Sequence, residues 1–216
     1  YLNTLFDDEL KKNNKKTYQE MIFEVAELSY EKQLIQLNLS NDDKKYAENF
    51  IKENNIKIEN LIGIHIGASS RWPSKAWSEN KIKEFTKELK GRGNNVILFS
   101  GLNEKDKHEK IMKELKEEGF QVYHNNPNNS IKQFASLVNS CKLMVCSDSF
   151  SLHISLALGI KTIALFFCTS SNEIEGYGLL KKIISPMLYD FFPEKQDQYS
   201  EALISSISAD EVLKDV

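Results

Sequence analysis

Three short stretches hold residues whose types and spacing could do chemistry. In "MVCSDSFSLHISLALGIKTIALFF" an apolar run, Leu143 to Cys146, stops at Ser147-Asp148-Ser149, and a helix-like run, Leu152 to Leu158, follows and ends at Gly159. A carboxylate at such a handover can cap the helix, a role worth about 1 kcal/mol. It can also serve a ligand. The free backbone N–H groups and dipole of a helix beginning at Ser149, Phe150 and Ser151 favour an anion. With a diphosphate at the helix start, Asp148 is expected to face away from it, toward hydroxyl groups. His153 lies in the first turn, where it could donate to a phosphate or be structural. A helix N-terminus lowers an imidazole's pKa and so favours the neutral ring.

The second stretch is "HIGASSRWPSKAW". Gly67 permits a tight turn or close backbone approach, Ser69 and Ser70 supply donors, and Arg71 and Lys75 supply positive charge, a combination that suits phosphate. The GxxxxGK[ST] spacing is absent, so this is not a Walker loop. The plainer alternative is a Pro-containing surface loop with two snorkelling cations. The third stretch, "SGLNEKD", has Gly101 at a turn and Glu104 opening the next helix. Glu104 either compensates the helix dipole or holds sugar hydroxyls.

These stretches matter because of the elements around them. From Leu61 onward, apolar runs recur at "LIGIHI", "NVILFS", "FQVYH", "LMVCS" and "TIALFF", separated by helical stretches at 78–90, 104–118, 130–140 and 151–158. Strands alternating with helices predict an α/β fold with a doubly wound parallel sheet and right-handed crossovers. In such a sheet, ligands bind beyond the carboxyl ends of the strands. All three stretches fall at such ends. Together they describe a nucleotide or nucleotide-sugar pocket.

The first 60 residues differ in character. They are polar and helical, with Met21, Ile22, Val25 and Leu28 forming one apolar stripe, then the alternating piece "LIQLNL", then Ser40-Asn41-Asp42 as an N-cap for a helix with Tyr46, Ala47, Phe50 and Ile51 on one face. We read 1–60 as a helical connector or support and 61–216 as the ligand-binding domain. The 28 Lys and Arg are interspersed among 31 Asp and Glu, giving a net charge of −3, which argues against a nucleic-acid-binding stripe. Three cysteines without a CxxC pair argue against a disulfide framework or zinc site and favour a reducing cytoplasm. The longest apolar run, "IALFFC", is far shorter than the ~18 residues of a membrane span. No signal-peptide pattern opens the chain.

Taken together, "HIGASSRWPSKAW", "VILFSGLNE", "SIKQFASLVNSCKLMVCSDSFSLHISLALGIKTIALF" and "TSSNEIEGYG" resemble glycosyltransferase family nine, the ADP-heptose:lipopolysaccharide heptosyltransferases, over about Leu61 to Gly178. The Asp-Ser-x-x-x-His-x-x-x-Ala-Leu-Gly run is the most diagnostic part. The resemblance implies a Rossmann-like lobe of the two-lobed GT-B arrangement, the carboxyl-terminal one that holds the nucleotide-sugar donor. It implies that Ser69 and Ser70 lie beside the donor diphosphate and that Lys75 stabilises the departing phosphate. Glu104 would be near the ribose, and Asp148 would orient the donor sugar. Ser149 and the Phe150 backbone would sit at the diphosphate, His153 would be the motif histidine, and the turn at Asn129 would border the base. No metal or other cofactor is implied. The partners implied are a nucleotide-sugar, ADP-heptose, and a lipid-linked saccharide acceptor at the cytoplasmic face of the bacterial inner membrane.

Two departures stand out. The family usually has glycine where Phe150 stands, and "FFCTSS" replaces the usual Gly-Pro before the threonine. The family's first lobe, with the aspartate that serves as general base, has no counterpart before Leu61. The expectation is therefore a fragment of a longer inverting transferase, with a one-lobe relative as the other option. Rival functions are a nucleotide-sugar epimerase of similar layout and a non-catalytic nucleotide-binding module.

Overall fold

A computed structural model describes residues 7–216; the first six residues of the segment read as a connector lie outside the described part. Six parallel strands form one sheet: β1 (Leu61–His65), β2 (Asn95–Phe99), β3 (Tyr123–His124), β4 (Leu143–Ser147), β5 (Lys161–Phe166) and β6 (Leu180–Ile184). Their spatial order is β3-β2-β1-β4-β5-β6, and every neighbouring pair is parallel. This is the doubly wound order that reverses direction between β1 and β4, where such sheets open a crevice for ligands.

The strands read as apolar runs because both faces are covered. Alternate residues point to opposite layers. Ile62 and Ile64 of β1, Val96 and Leu98 of β2 and Val145 of β4 pack with Ile82, Phe85 and Leu89 of α4 (Glu79–Gly91) and with Ile111 and Leu115 of α5 (Lys105–Glu117). Leu61, Ile97, Phe99 and Met144 face the other way, against Phe134, Leu137 and Val138 of α6 (Ile131–Val138). Cys146, Ala164 and Phe166 pack there against Leu152 and Leu156 of α7 (Phe150–Ala157). Helices α4 and α6 start on the hydroxyls of Ser78 and Ser130, and α5 carries Asp106 in its first turn. Gly119 and Gly159, read from the sequence as helix stops, have φ of 85° and 75°, a region open to glycine at little cost.

Two strands differ from the sequence reading. Only Tyr123 and His124 of "FQVYH" pair with β2, so β3 is a stub at the sheet edge. The opposite edge, β6, was not anticipated, because "LKKII" carries two lysines in five residues. Those lysines suit an edge strand, where charge blocks pairing with other chains. Lys182 donates to the carbonyls of Ser171 and Ile174, both at 2.6 Å, and Lys181 pairs with Asp215 at 2.9 Å. Short helices α8 (Leu188–Phe191), α9 (Glu201–Ile204) and α10 (Ala209–Leu213) finish the chain.

Among the described residues the N-terminal segment has three helices: α1 (Asp8–Asn13), α2 (Tyr18–Val25) and α3 (Asn41–Glu53). Helix α3 begins at the anticipated Ser40, whose hydroxyl accepts from Asp43 N–H while Asp43 accepts back from Ser40 N–H. Its Ala47, Tyr46, Phe50 and Ile51 lie in the same apolar cluster as α6. Of the stripe on α2 and beyond, only Met21 is buried; Ile22, Val25 and Leu28 are exposed. "LIQLNL" forms no strand, though Leu37 N–H donates to Ala157 O (3.1 Å) at the end of α7. All three cysteines are free and buried. No described helix is long and apolar enough to cross a membrane.

Candidate functional site

The crevice between β1 and β4 is framed by the loop after β1 and by the start of α7. The loop is held rigidly from beneath. Trp77 is buried and its indole N–H donates to Ile207 O at 3.0 Å. The Ser74 hydroxyl donates to Gln198 O and accepts from Ser200 N–H, both at 2.8 Å. Between these anchors Lys75 is directed into the crevice. Its ammonium lies 2.9 Å from Asp148 Oδ2, and only 10% and 15% of the two side chains are exposed. It also sits over the Trp72 ring, 4.8 Å from the centroid, and the Arg71 guanidinium lies 5.0 Å from the same ring. A cation near a ring face is attracted by the ring's quadrupole. Two residues 73 positions apart in sequence thus meet as a mostly buried ion pair at the switch point.

One reading of Asp148 is corrected here. No side chain caps α7: its N-cap is Ser149, whose hydroxyl pairs at 2.8 Å with that of Ser151. Asp148 is engaged by Lys75, so it does not fill the role of a cap. The first turn of α7 therefore presents backbone N–H groups without a side-chain acceptor, the arrangement that favours an anion. Phe150 directs its ring away from that turn, toward Phe134 on α6 (centroids 5.8 Å apart), and remains half exposed. Only its N–H is left for the helix start.

The remaining candidate residues lie along the same carboxyl edge. Ser69 and Ser70 are exposed, and the Ser69 hydroxyl accepts from Arg71 N–H at 3.3 Å. Glu104 accepts from Gly101 N–H at 3.0 Å and lies against Gly67, where an added Cβ would come within 2.5 Å of the Glu104 carboxyl carbon. Gly67 is therefore required for close approach between the two loops. Asn129 donates from Nδ2 to the Tyr46 hydroxyl of α3 at 2.6 Å, while its buried Oδ1 has no partner. His153 is exposed.

A cavity of about 440 Å³ brings Arg71, Lys75, Asp148 and His153 together, a size within the range of small-molecule pockets. Ser69, Ser70, Glu104, Asn129, Ser149 and Phe150 are outside its lining. Sequence reasoning missed several of the residues that complete it. Trp72, Thr169 and Ser170 line it, as do Glu173 and, from the N-terminal segment, Lys11 and Tyr18. The polar "TSSNE" at the carboxyl end of β5 follows the same strand-end rule as the other three stretches and could have been found by it. Lys11 and Tyr18 carry no such signal. Burial, with the Asp148 charge adding to it, raises the Glu173 carboxyl above its ordinary value, against hydrogen bonds from Tyr18 and Asn14 that lower it. Among the described residues, no group of three or more His, Cys, Asp or Glu gathers as a metal site.

Among curated proteins none matches the sequence significantly. Solved structures do match the fold. A glycosyl transferase family 9 protein from Veillonella parvula superposes with a TM-score of 0.76 at 16% identity, covering 94% of this chain and 59% of that one. The Escherichia coli ADP-heptose lps heptosyltransferase II gives 0.64 at 22%, covering 83% and 51%. The E. coli heptosyltransferase WaaC with ADP-2-deoxy-2-fluoro heptose gives 0.57 at 17%, covering 90% and 52%. The chain thus spans a little over half the length of these relatives. Residues 5–203 match the model of glycosyltransferase family 9 (heptosyltransferase). With a doubly wound sheet and a lysine–aspartate crevice at its switch point, the chain belongs to glycosyltransferase family 9.

Proposed function

We propose that this chain is the nucleotide-sugar-binding lobe of an inverting glycosyltransferase, one that moves a heptose from ADP-heptose to a hydroxyl of a lipopolysaccharide core. The observation that carries this reading is the Lys75–Asp148 pair beside the uncapped start of α7. In this reading the donor diphosphate lies on the α7 N–H groups and Lys75, and Asp148 accepts from sugar hydroxyls. Ser69 and Ser70 flank the diphosphate, and Glu104 and Asn129 lie toward the ribose and base. A base on a second lobe facing this edge takes the proton of the acceptor hydroxyl. The hydroxyl oxygen attacks the anomeric carbon from the face opposite the leaving group, and the carbon–oxygen bond to the diphosphate breaks. The electron pair goes to the departing phosphate oxygen. Lys75 and the helix start stabilise the charge that grows there, and preorganised donors of this kind supply much of an enzyme's rate enhancement. No resident metal or cofactor is invoked. The acceptor is lipid-linked, placing the reaction at the cytoplasmic surface of the inner membrane.

The test is calorimetric titration of the chain with ADP, ADP-heptose, UDP and UDP-glucose, repeated on Lys75→Ala and Asp148→Asn. Adenine-selective binding that both substitutions weaken supports the reading. Uridine selectivity would keep the pocket and replace the donor, and binding that neither substitution alters would put the ligand elsewhere.

A further inference from the structure

The proposed donor pocket has one wall that the sheet does not build. The segment after β5 runs through Thr169 and Ser170 to Glu173, and α1 and α2 close over it. The two are tied where Asn172 Nδ2 donates to Asn14 O at 3.0 Å, and Tyr18 of α2 lines the cavity together with Glu173. From below, Lys182 holds the carbonyls of Ser171 and Ile174. Glu173 thus sits on an anchored segment, and it lines the same cavity as Asp148 and Lys75.

The carboxyl oxygens of Glu173 offer lone pairs to hydroxyl donors in the cavity. Asp148 is already engaged by Lys75. The cavity is also bordered by Trp72, whose ring carries the Lys75 ammonium. Two carboxyl groups in one pocket match a polyhydroxyl ligand, whose O–H groups can donate to them. A diphosphate belongs with Lys75 and the start of α7.

We propose that Glu173, clamped by the N-terminal helical segment, reads hydroxyl groups of the donor's sugar across the pocket from Asp148. This rests on the nucleotide-sugar reading above. It makes the N-terminal segment part of sugar selection: Asn14 holds the neighbouring Asn172, and Lys11 and Tyr18 line the pocket with Glu173.

The two readings separate in one experiment, calorimetry with ADP and ADP-heptose and with UDP and UDP-glucose. Glu173→Gln keeps the shape of the side chain while replacing an acceptor oxygen with a donor. It is expected to weaken the nucleotide-sugar at least tenfold and the matching free diphosphate less than twofold. Tyr18→Phe, which removes only a hydroxyl from the wall beside Glu173, is expected to weaken the nucleotide-sugar about threefold and leave the diphosphate unchanged. Equal losses for sugar-nucleotide and free diphosphate, or no loss for either, would overturn the proposal while leaving the nucleotide reading intact. A wild-type chain that binds free diphosphate and nucleotide-sugar equally would also overturn it. If the wild-type chain binds none of the four, the nucleotide reading itself fails and this proposal falls with it.

Discussion

Removing both halves of the Lys75–Asp148 pair should cost less than the two single removals added together. At 2.9 Å and an effective dielectric near 20, the gross attraction is about 6 kcal/mol. Taking two charges largely out of water offsets most of this. Because the pair opens onto a cavity, water reaches the survivor of a single substitution and softens the penalty. We expect Lys75→Ala to destabilise the fold by about 2–4 kcal/mol, since it leaves the Asp148 carboxylate mostly buried without its cation. Asp148→Asn should cost about 1–3 kcal/mol for the corresponding reason. The double variant should fall short of the sum by about 1–3 kcal/mol, the size of coupling found between residues in direct contact. Urea unfolding followed by tryptophan fluorescence suits the measurement, because Trp77 is buried and Trp72 touches the pair. The denaturant slopes should be equal across the four proteins. Raising the salt should change the coupling little, since burial shields the pair from screening. Single-variant costs that add to within about 0.5 kcal/mol would show that the two groups do not hold each other, and the account of the crevice would be wrong.

Other perturbations follow from the same geometry. Gly67→Ala should push Glu104 off its Gly101 hydrogen bond and cost about 1–2 kcal/mol; pairing it with Glu104→Ala should recover much of the loss in a thermal melt, and no recovery would mean the clash is relieved some other way. Burial holds the His65 and His108 imidazoles neutral, with pKa values lowered to about 4. The unfolded chain, titrating near 6.5, then binds more protons between these values, so stability is lost as pH falls from about 6.5 toward 4. At pH 5 this amounts to about 2 kcal/mol per histidine. His65→Gln should remove its share of that slope in denaturation measured from pH 7 to pH 4.5. Phe150→Gly should cost about 1 kcal/mol or slightly more through the lost contact with Phe134 and leave binding of a nucleoside diphosphate undiminished, because only the backbone N–H faces the helix start; calorimetry showing abolished binding would place the ring in the site.

How much of this could be read from the sequence depended on which physical signal each residue carries. Buried parallel strands must be apolar on both faces, so β1, β2, β4 and β5 were visible as runs. An edge strand is under no such demand, and β6, with Lys181 and Lys182, looked like a loop. The run at Phe120–His124 looked like a full strand, yet only two of its residues find a partner. Asp148 and Lys75 were each marked by their positions at strand ends. That Asp148 bonds Lys75 rather than the helix could not be seen, because a cap and an ion pair ask for the same residue at the same place. Glu173 sits after β5 under the same rule that marked Glu104. Lys11 and Tyr18 reach the cavity through the docking of α1 and α2, a long-range packing event with no local trace. The exposed Ile22, Val25 and Leu28 show the converse, since helical spacing marks an apolar face without saying what covers it.

The three cysteines give the molecule a built-in chemical silence. Burial pushes the Cys168 thiol up to about 11 and that of Cys146 to about 12, and it raises Cys141 further. A thiol reacts through its thiolate, so alkylating reagents should pass over the folded chain and modify only molecules that have opened. The rate of labelling then reports the opening reaction directly, without a probe being added. The same silence means that one cysteine placed on the surface of α1 could carry a fluorophore alone, giving a clean view of how the N-terminal wall responds when the pocket fills.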